Sequence, residues 1–255
     1  MPYPASYFRL SMFRKCRRQY RLHYVDGLAD DYRKARPYLT MGDHVHGALR
    51  DLFSLPVEER SGARLIQFMR DRWRQNREGF KDREEERRYG EKATAQLRAF
   101  AQREDLTIQP VAVEDFHKVE IDDTLALLGK IDRIDRDSEG LHIIDYKTGA
   151  PREPDTLQLQ MYGLIVVRAF APAPIRASCL YLETGEWITR AATEETMAQA
   201  LEDVRRQVAA VVAEREYAAS AGPLCGYCDF LEICRDGKGI VESRPYVLTE
   251  QPPFE

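Results

Sequence analysis

No stretch of the 255 residues approaches the roughly 20 consecutive apolar side chains that a membrane helix requires. The opening MPYPASYFRLSMFRKCRRQY also lacks the apolar core of a signal peptide, so a cytoplasmic protein without membrane contact is expected. A surplus of positive charge is missing too. Lys and Arg number 38 against 42 carboxylates, a formal charge of −4, which excludes a histone-like polycation. Lysine itself is scarce, eight residues against thirty arginines. Only five cysteines are present, poor disulfide material in a reducing cytosol, so their spacing has to be read for metal or redox chemistry. Internal repeats and low-complexity tracts are likewise absent. What is there is an ordinary globular composition, 44% apolar and 31% charged, enough for one core or a core with an appendage.

The near-neutral total hides a basic segment. Residues 9–38 hold Arg9, Arg14, Lys15, Arg17, Arg18, Arg21, Arg33, Lys34 and Arg36 against Asp26, Asp30 and Asp31. Arginine's planar fork suits phosphate, so this segment is a candidate for lying along a nucleic-acid backbone; a solvated helix face is the alternative. Apolar spacing predicts helices over 6–24, 41–53, 64–77 and 91–103, with the chain around Pro37 as a loop. The run from Arg77 to Arg88 is dense in both charge signs and reads as a solvated helix or loop, not a binding surface. From Val111 the period changes to that of strands, over 111–121, 124–136 and 141–147, with turns at Asp122-Asp123 and Ser138-Glu139-Gly140, an antiparallel meander. A helix over 155–170, strands over 176–182 and 186–191 and a helix over 194–216 follow. Three segments are expected: a helical region 1–110, a core 111–216, and a Gly-, Pro- and Cys-rich tail 217–255 that apolar burial alone cannot order.

On an extended chain Asp145 and Lys147 project together while Tyr146 points away. A hairpin can bring Asp132 beside Asp145, and two adjacent carboxylates are costly unless a cation neutralises them. Oxygen ligands favour Mg²⁺ or Mn²⁺, which lower the pKa of a bound water, and Lys147 can orient that water or meet phosphate charge. His46 on its predicted helix can add an imidazole, and Glu114 on the first strand a further carboxylate. Gln158 and Tyr162, four apart, share one helix face and suit positioning a nucleotide, with Leu157, Met161 and Leu164 on the buried face.

The set Gly42-x-x-x-His46, Gly129-x-x-Asp132-Arg133, Asp145-x-Lys147-x-Gly149 and Gln158-x-x-x-Tyr162 resembles the RecB-type branch of the PD-(D/E)XK nucleases over nearly the whole chain. Cys16-Arg-Arg-Gln-Tyr20 with Tyr24-Val-Asp-Gly-Leu28 is similar to their entry helix. The resemblance implies a restriction-endonuclease-like α/β core, a central mixed sheet flanked by helices, and metal-dependent hydrolysis of DNA phosphodiesters. Carried over, His46, Asp132 and Asp145 hold the metal, Asp132, Asp145 and Lys147 are catalytic, and Gln158 and Tyr162 line the DNA path. With no GxxxxGK[ST] loop, a free-standing nuclease module without a motor is expected.

Cys225-x-x-Cys228-x5-Cys234, with Cys16 as a fourth thiolate, points to a metal that staples the two ends of the chain. Four thiolates satisfy either tetrahedral zinc or a [4Fe-4S] cluster, and the physics of the spacing does not decide. The split arrangement resembles the iron–sulfur staple of AddB-type and CRISPR-associated RecB-like nucleases, which favours [4Fe-4S]. Cys179, in an apolar strand, reads as a small buried hydrophobe. The expected activity is an exonuclease on single-stranded or frayed DNA ends, in repair, recombination or CRISPR spacer processing, with a helicase or a CRISPR integrase as partner. The alternative is a catalytically silent, cluster-stapled DNA-binding accessory subunit.

Overall fold

The computed structural model describes residues 1–170 and 175–243, so residues 244–255 of the expected tail lie outside the described part. In chain order the elements are β1 (Tyr3–Ala5), α1 (Tyr7–Lys15), α2 (Arg17–Tyr20), α3 (Ala29–Tyr32), α4 (Pro37–Phe53), α5 (Gly62–Gln75) and α6 (Arg83–Arg103). The strands β2 (Ala112–Asp122), β3 (Leu125–Asp137) and β4 (Gly140–Lys147) follow, then α7 (Thr156–Ala169), β5 (Ile175–Tyr181), β6 (Glu186–Ala191), α8 (Glu194–Ala213) and α9 (Arg235–Ser243). Among the described residues no helix is long and apolar enough to cross a membrane.

The chain divides into two compact units that do not follow chain order. One comprises residues 1–4 and 35–202, the other residues 5–34 with the described residues from 203 onward.

The first unit is mixed α/β. Its strands run in the order β1-β3-β4-β5-β6, with β2 also paired to β3. The expected meander is present: β2 to β3 and β3 to β4 are antiparallel, β4 to β5 is parallel across the α7 crossover, and β5 to β6 is antiparallel. Strand alternation sorts the side chains of β4 and β5. Ile144, Tyr146, Leu180 and Leu182 join Leu49, Leu65, Leu97 and Phe100 from α4, α5 and α6 in one apolar cluster. Asp145 and Cys179 point to the other face. Helix α7 packs over β2, β3 and β5, and its approach depends on Gly129, where a Cβ would stand 2.7 Å from Ile165 Cδ1.

Helix starts follow local chemistry. Ser61, Asp82 and Asp155 cap α5, α6 and α7 with side-chain oxygens. Glu84, Glu85 and Glu86 occupy the first turn of α6, where the helix dipole favours them, which is why the charged run resolves into a loop followed by a helix. Two expectations are corrected. Pro37 is not in a loop but opens α4, because a first-turn position needs no N–H and favours proline's fixed φ. The single helix over 6–24 is broken: Cys16 lies extended (φ −160°, ψ 114°) between α1 and α2, and the chain continues as a π-turn over Arg21–Val25.

The second unit buries Leu10, Met12, Phe13, Tyr20, Val204 and Val211. Phe230, 2% exposed, is the buried side chain among the cysteine-bearing residues, with Tyr32 and His23 rings at 6.0 and 6.4 Å. Arg17 pairs with Glu214 at 2.6 Å, Arg18 donates to the Tyr217 carbonyl at 3.0 Å, and Lys34 pairs with Glu232 at 2.7 Å. Arg9 lies over the Tyr24 ring at 4.3 Å and Arg21 over Tyr217 at 5.8 Å. Much of the basic N-terminal segment is therefore engaged inside this unit.

Candidate functional site

The β2–β3 hairpin builds the centre of the site. Its register, Val113 opposite Arg133 and Asp115 opposite Ile131, sets Glu114 directly across from Asp132. Like charges so placed repel, and Glu114 has φ +50°, a conformation that costs a non-glycine residue about 1–3 kcal/mol. Both carboxylates are nonetheless buried, with side chains 7% and 11% exposed. His46, from the middle of α4, places Nδ1 at 3.1 Å from Asp132 Oδ1 and 3.7 Å from Glu114 Oε1. Lys130 on β3 forms an ion pair with Glu114 Oε2. The ligand atoms of His46, Glu114 and Asp132 lie within 4.8 Å of one another.

One register step past Arg133↔Ile144, Asp132 comes abreast of Asp145. Asp132 Oδ2 accepts the Tyr146 N–H at 2.8 Å, which fixes the carboxylate against β4. Asp145 forms an ion pair through Oδ2 with Lys147, so the Asp-x-Lys pair projects together as expected, and Tyr146 turns away to meet Arg133 at 3.4 Å. Arg133 itself clamps Asp135 at 2.7 and 2.6 Å and stacks on Phe53 at 4.0 Å, a buried structural knot. On the next strand Cys179, opposite Asp145, donates its thiol to Asp145 Oδ2 at 3.6 Å. The reading of Cys179 as only a buried hydrophobe is thus incomplete. Gln158 Nε2 donates to Tyr162 Oη at 3.1 Å on α7.

Electrostatics tie these groups together. Burial disfavours charge on His46, but Asp132 and Glu114 raise its pKa to about 10. Burial pushes Glu114 up, yet His46 and Lys130 hold it at about 2. The Asp145 carboxyl is raised, chiefly by burial, with Lys147 opposing and Asp132 reinforcing. Lys147 is raised despite burial because Asp145 stabilises its ammonium. Burial and the nearby charges of Asp145 and Asp132 push the Tyr162 phenol far up, so it stays a neutral donor.

Two carboxylates forced together beside an imidazole suit a hard or borderline divalent cation, with Asp145 close enough to add an oxygen. Asp145 stands outside the close triad because Lys147 holds it. Of the predicted residues, His46, Glu114, Asp132, Asp145, Lys147, Gln158 and Tyr162 converge here. Lys130, the partner of Glu114, is not among the residues the sequence points to; a count outward from the turn does not find the pair either, because the register shift between Glu120 and Asp122 is what brings Glu114 opposite Asp132.

The second unit carries the other predicted set. Cys16, Cys225, Cys228 and Cys234 line one cavity of about 550 Å³. All are free thiols. Backbone N–H groups of Ser220, Gly222 and Gly237 each approach a sulfur, of Cys16, Cys225 and Cys234, at 3.4 Å. Cys228 takes its N–H from Phe230, but burial and the neighbouring Cys16 and Cys225 push its thiol up to about 11. The break at Cys16 is what turns its sulfur toward the others. Among the described residues no three of these sulfurs lie within 4.8 Å of one another. A single tetrahedral zinc with bonds of ~2.3 Å would need sulfurs about 3.8 Å apart.

A family model described as the PD-(D/E)XK nuclease superfamily matches residues 4–235. No curated protein matches the chain. A crystal structure of a candidate exonuclease from Eubacterium rectale is 14% identical, covers 97% of this chain and 89% of its own, and superposes with a TM-score of 0.52, a likeness of fold. A second solved structure, of SSO0001, is 17% identical over 49% of this chain and 60% of that one, with a TM-score of 0.30 that carries no argument. With the match spanning nearly its whole length, the chain belongs to the PD-(D/E)XK nuclease superfamily.

Proposed function

We propose that this protein is a metal-dependent deoxyribonuclease of the RecB-type branch, an exonuclease acting on single-stranded or frayed DNA ends. The observation that carries the reading is the pairing of buried Glu114 and Asp132 across the hairpin, in strained backbone, beside His46 and next to the Asp145–Lys147 pair. That arrangement opposes itself in the protein alone and is relieved by a divalent cation. His46, Glu114 and Asp132 would hold Mg²⁺ or Mn²⁺, with Asp145 the next carboxylate in reach. Bound there, the cation lowers the pKa of a water and stabilises charge on the phosphate.

The chain's own groups do the rest. His46 gives up its proton when the site is filled. Lys147 stays an ammonium and orients the water or meets the phosphate's charge at Nζ. Tyr162 Oη, kept a neutral donor, and the Gln158 amide line the path of the strand.

The cysteine cavity holds a [4Fe-4S] cluster in this reading, and its role is structural. Support comes from an N–H facing each sulfur, a pattern that stabilises negative charge on cluster ligands. Structural Zn²⁺ is the alternative. A helicase or a CRISPR integrase is the proposed partner, and the cytoplasm the proposed location.

DNA labelled in turn at each end, single- and double-stranded, is incubated with Mg²⁺, Mn²⁺ or EDTA and the wild type, Asp145→Asn or Lys147→Ala. Metal-dependent loss of label, abolished by both substitutions in proteins of unchanged thermal melt, is expected. DNA binding without cleavage under any metal would replace this reading with the silent accessory subunit.

A further inference from the structure

Helices α5 and α6 form an antiparallel pair: Gly62 meets Ala101 and Trp73 meets Gly90. Between them lies a cleft of about 810 Å³. Its walls are arginines, Arg70 and Arg74 on α5, Arg77 in the loop that follows, and Arg83, Arg87 and Arg98 on α6, every one exposed. Two acids face the same space, Glu86 and Glu91. Glu86 is occupied, accepting from Arg77 at 2.6 and 2.9 Å and from Trp73 Nε1 at 3.1 Å, while Arg74 pairs with Asp71 at 2.8 Å. Among the described residues Arg70, Arg83, Arg87 and Arg98 have neither an ion pair nor a hydrogen bond. The charged run that reads in sequence as a solvated surface is therefore one wall of a groove with a local excess of positive charge.

The floor of the groove is apolar. Met69 is buried beneath it and the indole of Trp73 is half-buried, stacked on Phe80 at 5.4 Å. Gly90 lies over that indole, where a Cβ would stand 3.5 Å from Cζ2. Glycine inside a helix weakens it, but here it lets α6 close over the indole, which is also packed against His44 at 5.1 Å. Unpaired guanidinium forks along both sides of a groove suit the successive phosphates of a nucleic-acid strand. Arg83 to Arg98 span fifteen residues of helix, about 22 Å, so the groove accommodates several nucleotides.

We propose that the α5–α6 groove is a second strand-binding site, holding single-stranded DNA away from the scissile phosphate. The choice of DNA rests on the nuclease reading above; the groove's fit to a polyanion does not. The single strand follows from that reading too, which gives the enzyme single-stranded or frayed ends.

The test uses a fluorescent dT oligonucleotide in EDTA, so that nothing is cut. Arg70→Ser/Arg87→Ser should weaken binding about 10-fold and lower the slope of log K against log salt by about 1.4, the change expected when two phosphates are no longer neutralised. In a Trp187→Phe background, which leaves Trp73 as the one tryptophan, the oligonucleotide should change Trp73 emission in the wild-type groove and not in the arginine variant. With metal present, the arginine variant should cut an oligonucleotide too short to reach the groove at the wild-type rate and a long one more slowly. Unchanged affinity and salt slope in the arginine variant overturn the proposal, as does a duplex, an RNA or an acidic peptide binding through these residues more tightly than dT. If the wild type cuts DNA and the variant binds and cuts long strands as it does, the groove falls and the nuclease stands. If the variant loses strand binding while the wild type cuts nothing with any metal, the nuclease falls and the groove stands.

Discussion

The two metal-ready regions of this chain are built on opposite principles. The carboxylate site is assembled by the sheet: register sets Glu114 against Asp132, and His46, Lys130 and Lys147 already answer the negative charge. An apolar cluster that includes Tyr146 and Phe100 supports it. The cysteine site has four sulfurs with N–H partners and, among the side chains that line its cavity, one that is buried, Phe230. A site held by a core should keep its shape when the metal leaves. A site whose walls are mostly half-exposed should not, because the ligand supplies the energy that orders them.

The largest expected effect follows from that contrast. Cys228→Ala, or removal of iron by a chelator, should bleach the protein and open residues 203–243 to proteolysis, whereas stripping Mg²⁺ or Mn²⁺ should leave the cleavage pattern of a protease unchanged. Loss of protection in both cases would erase the distinction. Next in size, Glu114→Gln should lower DNA cleavage at least about 100-fold, comparable to losing a group that acts on developing charge, with a modestly lower thermal melt because the ion pairs with His46 and Lys130 that hold its carboxyl at about 2 are lost. Cleavage kept while the melt falls would mean that Glu114 is structural.

A smaller effect tests the packing behind the site. Gly129→Ala drives a methyl into Ile165 at 2.7 Å and should destabilise the first unit by about 1–3 kcal/mol, measured by denaturant unfolding, while shifting Tyr162 and slowing cleavage. The smallest concerns pH. Burial, aided by Arg176, depresses His142 from 6.5 to about 4. The unfolded chain therefore binds the proton first, so His142 costs stability as pH falls from 6.5 toward 4 and nothing above 6.5. His142→Gln should flatten the stability profile in that window alone, and an unchanged slope there would rule out this cause.

How much of the fold and site is legible in the sequence depends on the period of the residues involved. Strand alternation places Asp145 with Lys147 and turns Tyr146 away, and the two hairpin turns define the meander, because a period of two and a short turn leave little freedom. Glu114 is visible only as a candidate, since its place opposite Asp132 depends on a register shift between Glu120 and Asp122 and on a left-handed φ that glutamate does not advertise. The break at Cys16 is hidden because aromatic and basic residues on both sides carry a helical pattern straight through it. Pro37 reads as a loop residue although proline serves equally well as a helix start, which is where it lies. The arginine groove escapes a reading of the sequence because each stripe alone looks like a solvated face; only the pairing of α5 with α6 sets them opposite each other.

One protein measured twice gives the most direct test of two separate metal sites. Asp132→Ala is purified anaerobically, and its iron content and its cleavage of end-labelled single-stranded DNA with Mn²⁺ are determined on the same sample. Cleavage lost with iron retained is the expected result, since Asp132 serves the carboxylate site and not the cysteines. Cleavage retained would contradict the metal centre, and loss of iron together with activity would contradict the separation of the two sites.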